Sequence, residues 1–162
     1  MKQHGFTYLA VLLLVALMGV ALAGAGTVWH SVAQREKERE LLYIGKQFRQ
    51  AIASYYESSP GASGKYPPSL DELLKDSRFP DTRRHLRRIY RDPLTGSTEW
   101  GVVKAPEGGI MGVHSLSPEQ PLKSANFREA DRALTGQAMY SGWVFAYLPR
   151  QANPALSKPP GK

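Results

Sequence analysis

Five arginines fall within nine residues, in the stretch Arg83-Arg84-His85-Leu86-Arg87-Arg88-Ile89-Tyr90-Arg91. Guanidinium groups grip phosphates and carboxylates, so the chemistry on offer is anion binding. Read as a short helix over residues 81–92, Arg83, Arg87 and Arg91 share one side, with Arg84 and Arg88 beside them. Leu86, Ile89 and Tyr90 then lie on the other side. The plain alternative is a solvated face balanced by Asp76, Asp81 and Asp92, or a contact with an acidic neighbouring subunit. Charge runs alone favour that alternative. The expectation is therefore an interaction patch rather than a nucleic-acid site.

Residues for catalysis are sparse. The histidines are His4, His30, His85 and His114, and none has a His or Cys at ligand spacing. No serine sits in a G-x-S-x-G turn, and there is no P-loop. His114 adjoins Ser115, but neighbours on a strand point to opposite faces and make no nucleophile–base pair. The inventory predicts no enzyme, no cofactor and no metal. Cysteine is absent, so the fold holds by packing alone.

These groups need elements to carry them. The 162 residues suggest one ordinary domain plus an N-terminal segment. Phe6 to Trp29 is a run of 24 residues with no charge and no proline. As a helix it is about 36 Å long, enough for a ~30 Å hydrocarbon core. From His30 to about residue 57 the helical pattern turns amphipathic. Leu41, Ile44, Phe48, Ile52 and Tyr55 recur at steps of three and four, a stripe that needs a partner surface. Arg35 to Glu40 alternates in sign and reads as a solvated collar. Gly45 sits mid-stripe and weakens the helix slightly.

Residues 58–65 are loop by composition. Ser69 and Glu72 form a capping-box pattern, predicting a two-turn helix from Leu70. Residues 99–104, 109–115 and 140–147 are rich in branched and aromatic residues, bounded by Gly and Pro. They predict three antiparallel strands over the helix stripe, with residues 105–109 as a turn. Residues 116–138 read as loop with a weak helix, and 150–162 as a mobile tail. The fold class is α+β: a long N-terminal helix, transmembrane half plus amphipathic half, packed against a small antiparallel sheet.

The N-terminus admits three readings. Ala21-Leu22-Ala23 and Ala23-Gly24-Ala25 both fit a signal-peptidase site, which would make the chain an exported periplasmic binding domain. A plain anchor is the second; Lys2 before the span against Arg35, Lys37 and Arg39 after it would keep the C-terminal part in the cytoplasm. The third comes by resemblance. Lys2-Gln3-His4-Gly5, followed by Phe6-Thr7 and a long apolar helix, resembles a type IV prepilin leader. The stretches 66–74, 91–100 and 108–123 are similar to head segments of type II secretion pseudopilins, so the likeness spans most of residues 3–147.

That resemblance implies a pseudopilin, a structural subunit of a periplasmic filament that drives protein export. Prepilin peptidase would cut after Gly5 and methylate Phe6. The implied layout is a leader (1–5), a transmembrane helix (6–29), an amphipathic helix (30–57), a periplasmic α+β head (58–149) and a tail (150–162). The subunit would sit in the bacterial inner membrane, head in the periplasm. Its implied partners are the peptidase, the membrane, other pseudopilins, an assembly platform and a secretin. The family's usual glutamate five residues past the cut is Ala10 here, which implies a minor subunit. A DNA-uptake pilin is a variant of the same reading. Some such heads bind calcium; the acids available are Glu119, Glu129 and Asp131, and arginines intersperse them, so no metal site is expected.

Overall fold

A computed structural model describes residues 4–60 and 64–149, with backbone only for 4, 5 and 20–30. The predicted tail at 150–162 and residues 1–3 of the leader lie outside the described residues. The first element, α1, runs without a break from His4 to Glu57. The chain divides into two units, 1–36 and 37–162.

In the first unit the described apolar side chains point to solvent; Phe6 is 81% exposed and Leu13 64%. Among the described residues no helix is long and apolar enough to cross a membrane. The predicted span 6–29 lies within α1, and the side chains of its second part, 20–29, lie outside the described residues.

The second unit is built on residues 37–57 of α1. Leu41, Ile44, Phe48, Ile52 and Tyr55 are all buried, as the spacing predicts. They pack in one core with Leu73, Leu86, Trp100, Val113, Leu134, Tyr140, Trp143 and Phe145. A three-stranded antiparallel sheet supplies part of that cover, in the order β1 (Gly101–Lys104), β2 (Ile110–His114), β3 (Phe145–Ala146). Val102 pairs with Val113 and Val113 with Phe145; the β1–β2 register shifts at Val103/Lys104. The turn between β1 and β2 closes with Gly108 and Gly109 at φ of 92° and 80°, where glycine is favoured.

Gly45 has a structural use that propensity hides. A Cβ there would lie 2.3 Å from the Phe145 ring. The missing side chain lets β3 press directly on the helix backbone. Glu38 is a second surprise: it is buried, not part of a solvated collar. Its carboxylate accepts the N–H of Leu122 at 2.7 Å, that of Lys123 at 3.1 Å and the Tyr140 hydroxyl at 2.9 Å. One carboxylate oxygen, Oε1 of Glu38, thus organises the loop after β2.

Four predicted elements shrink or are lost. The helix from Leu70 is only a 3-10 turn, Asp71–Leu73, with no side-chain cap. Glu72 accepts instead from the Ser77 N–H and hydroxyl. The Leu73 carbonyl, which a longer helix would need, accepts the His85 and Leu86 N–H groups at 2.8 Å each. The same bonds hold residues 81–92 out of helix, and they form an irregular segment. The third strand starts late, because Tyr140–Gly142 is a 3-10 turn that buries Tyr140. The weak helix predicted within 116–138 is a 3-10 helix, Glu129–Leu134.

Candidate functional site

The arginine segment is fastened to the head from behind. The Asp76 N–H donates to the Arg83 carbonyl at 3.0 Å, and Trp100 Nε1 donates to the Tyr90 carbonyl at 2.8 Å. Between these ties Leu86 is buried and Ile89 and Tyr90 are half-buried. Arg83, Arg84, Arg87, Arg88 and Arg91 are all exposed. The division into a charged outside and an apolar inside follows the sequence pattern, although no helix produces it. The Arg83 guanidinium sits 4.8 Å from the Phe79 ring and that of Arg88 5.3 Å from Tyr90, so two of the five stack on aromatic faces.

Two of the three expected neutralising acids are engaged inside the head. Asp76 is buried and accepts from Arg78 Nε at 2.8 Å and Nη2 at 2.7 Å. Asp92 is buried and accepts the Ser115 hydroxyl at 2.6 Å and the Leu94 N–H at 2.9 Å. Among the described residues no ion pair links any of the five arginines to a carboxylate. Of the three acids read as balancing this face, Asp76 and Asp92 are consumed inside the head, and Asp81 is exposed two residues before Arg83.

His85 does what no spacing in the sequence announces. Its Nδ1 lies 2.8 Å from the Ser54 hydroxyl of α1 and its Nε2 3.1 Å from Asp76. Hydrogen bonds from Arg78, against the cost of burial and with help from His85, hold the Asp76 carboxyl well below the usual carboxylate range. Arg78 also reaches back to α1, donating to the Tyr55 carbonyl at 2.8 Å and lying 3.5 Å over the Tyr55 ring. A Ser–His–Asp chain invites comparison with a nucleophile relay. Here the histidine side chain is 1% exposed, and Ser54 does not line the groove that reaches His85. The cluster ties the arginine segment to the helix.

Two grooves flank the exposed Tyr43 of α1. One, beside the arginine segment, is lined by Tyr43, Gln47, Arg84, His85, Leu86, Arg87 and Tyr90. The other is lined by Arg39, Leu42, Tyr43, Lys46, Lys123, Phe127, Arg128 and Asp131. Asp131 is already engaged by Arg49 at 2.8 Å. Arg84 and Arg87 of the predicted patch thus face a groove, whereas Arg83, Arg88 and Arg91 do not line either one.

The remaining predicted residues are scattered. Gly5 falls in the helical backbone of α1, and Phe6 and Ala10 are exposed on it. The side chains of His4 and His30 lie outside the described residues. His114 Nδ1 bonds the Ser115 carbonyl at 2.9 Å, while the Ser115 hydroxyl turns to Asp92, so the two do not act together. Glu119 and Glu129 are exposed and Asp131 is paired; among the described residues no three acidic or histidine side chains gather as for a metal. Sequence reasoning missed Glu38, Ser54 and Tyr43. Only Tyr43 left a signal, as an aromatic off the buried stripe.

No family model matches the chain, and no curated protein and no solved structure does either.

Proposed function

We propose that the protein is a pilin-like subunit, a minor pseudopilin that works by assembly rather than catalysis. The observation that carries this reading is the Gly5–Phe6 junction at the start of one uninterrupted helix, followed by an apolar run and then an amphipathic stripe. Apolar residues from Phe6 to Met18 are exposed on α1, and a surface of that kind needs lipid or sister helices around it. The α+β head on residues 37–57 of the same helix agrees with the expected architecture. In this reading the apolar helix holds the subunit in the inner membrane with the head in the periplasm. Assembly exchanges burial in lipid for burial among neighbouring helices. The only covalent chemistry is that of the peptidase at Gly5 and Phe6.

The test is the intact mass and N-terminal sequence of the protein purified from membranes of its own host. A chain starting at methylated Phe6 supports the reading. A start near Gly24 or Gly26 means ordinary secretion, and an uncut Met1 means a plain anchor; either one sinks it. Gly5→Leu should leave the full-length precursor.

A further inference from the structure

We infer that the face centred on Tyr43 docks an acidic, partly apolar segment of a different protein. Tyr43 is 57% exposed, although it lies on the helix that carries the core. Lys46, Lys123 and Arg128 stand in the groove on one side of it, and Arg84 and Arg87 in the groove on the other. Among the described residues none of these five cations is in an ion pair. The one acid in either lining, Asp131, is taken by Arg49. An exposed aromatic between concave cationic walls is the composition of an interface centre, where aromatic and Arg side chains carry most of the energy.

The same observations choose among occupants. A second copy would bring its own surplus of cations, since the chain carries a net charge of +7; like-charge juxtaposition opposes that pairing. A nucleic-acid strand carries a charge at every phosphate and would track a continuous basic path. Here Glu40 is exposed on the same helix and Tyr43 stands between the two cationic walls, so the positive path is interrupted. Leu42, Phe127 and Leu86 contribute apolar wall. A peptide with spaced carboxylates and apolar side chains between them satisfies both features. This inference deepens the subunit reading, resting on it for the partner being a protein, but its outcome does not depend on processing at Gly5.

The probe is a fluorescein-labelled peptide of alternating glutamate and leucine, titrated by anisotropy against the full-length protein in an uncharged detergent. An oligothymidylate of equal charge runs beside it. Changing Lys46, Arg84, Arg87 and Arg128 together to Glu should weaken the peptide about tenfold or more, the loss expected for a few centre residues. Changing Lys75, Arg91, Lys104 and Arg132 to Glu, the same charge change outside the grooves, should leave it within about twofold. Tyr43→Ala, which alters no charge, should weaken it about fivefold with an unchanged melting temperature. Equal losses in the two charge sets, an unaffected Tyr43→Ala, no peptide binding, or tighter binding of the oligothymidylate would each overturn the proposal. Cleavage at Gly5 alongside any of those results leaves the subunit reading standing.

Discussion

At the scale of single residues, the head is fixed by groups that propensity rules price wrongly. Gly45 counts as a weak point in a helix, yet the Phe145 ring occupies the space of its side chain. Gly45→Ala should therefore destabilise by about 2 kcal/mol, since Phe145 is fully buried and has nowhere to retreat; a rise in the denaturant midpoint would contradict this. Asp76→Asn should cost about 3 kcal/mol by stripping Arg78 of its partner. Its pH signature follows from the depressed carboxyl. Stability from Asp76 is complete above the ordinary carboxylate range and is lost as pH falls toward its lower folded value, so the variant should show a flatter acid limb. Tyr147 gives the opposite limb. Burial, then its hydrogen bond to Glu57, raises its hydroxyl to about 12. Its contribution is whole below pH 10 and fades as pH rises toward 12, a loss that Tyr147→Phe should abolish. The apolar stripe was legible because burial on a helix has a period. Glu38, His85 and Gly45 were not, because their partners lie far along the chain and no local pattern encodes them.

At the scale of elements, local signals succeed where the backbone supplies its own hydrogen bonds. The amphipathic part of α1 and the β1–β2 hairpin are of this kind, and both lie close to their predicted places. They fail where a distant group claims the backbone. The Leu73 carbonyl serves His85 and Leu86, and a capping-box pattern cannot report that. The arginine segment makes the distinction measurable. Glycine in a helix interior costs about 1 kcal/mol. Gln50→Gly, exposed in α1, should show that loss in chemical denaturation, whereas Arg88→Gly should change stability by only a few tenths. A full helical penalty at Arg88 would mean that the segment coils after all.

At the scale of the whole molecule, residues 37–162 hold the core, and Glu38 stands at the edge of that unit. A chain shortened to begin at Lys37 should keep the near-ultraviolet circular dichroism of its packed aromatics. One shortened to begin at Leu41 should melt lower, because the Leu122 and Lys123 amides and the Tyr140 hydroxyl lose their common acceptor. The contacts of α1 also carry an order in time. Ser54 meets His85, 31 residues later; Phe48 meets Trp100; Gly45 and Glu38 wait for Phe145 and Tyr140, the latter 102 residues on. Translation therefore delivers the covering piecemeal, and its last part, at Glu57 as at Gly45, arrives only with residues 145–147. At about 5–20 residues per second, the stretch around Gly45 stays bare for on the order of 5–20 s after it is made. A nascent chain that stalls before residue 140 presents that bare stretch to chaperones and proteases, so the docking of β3 on the helix reports that the chain has been made through residue 146.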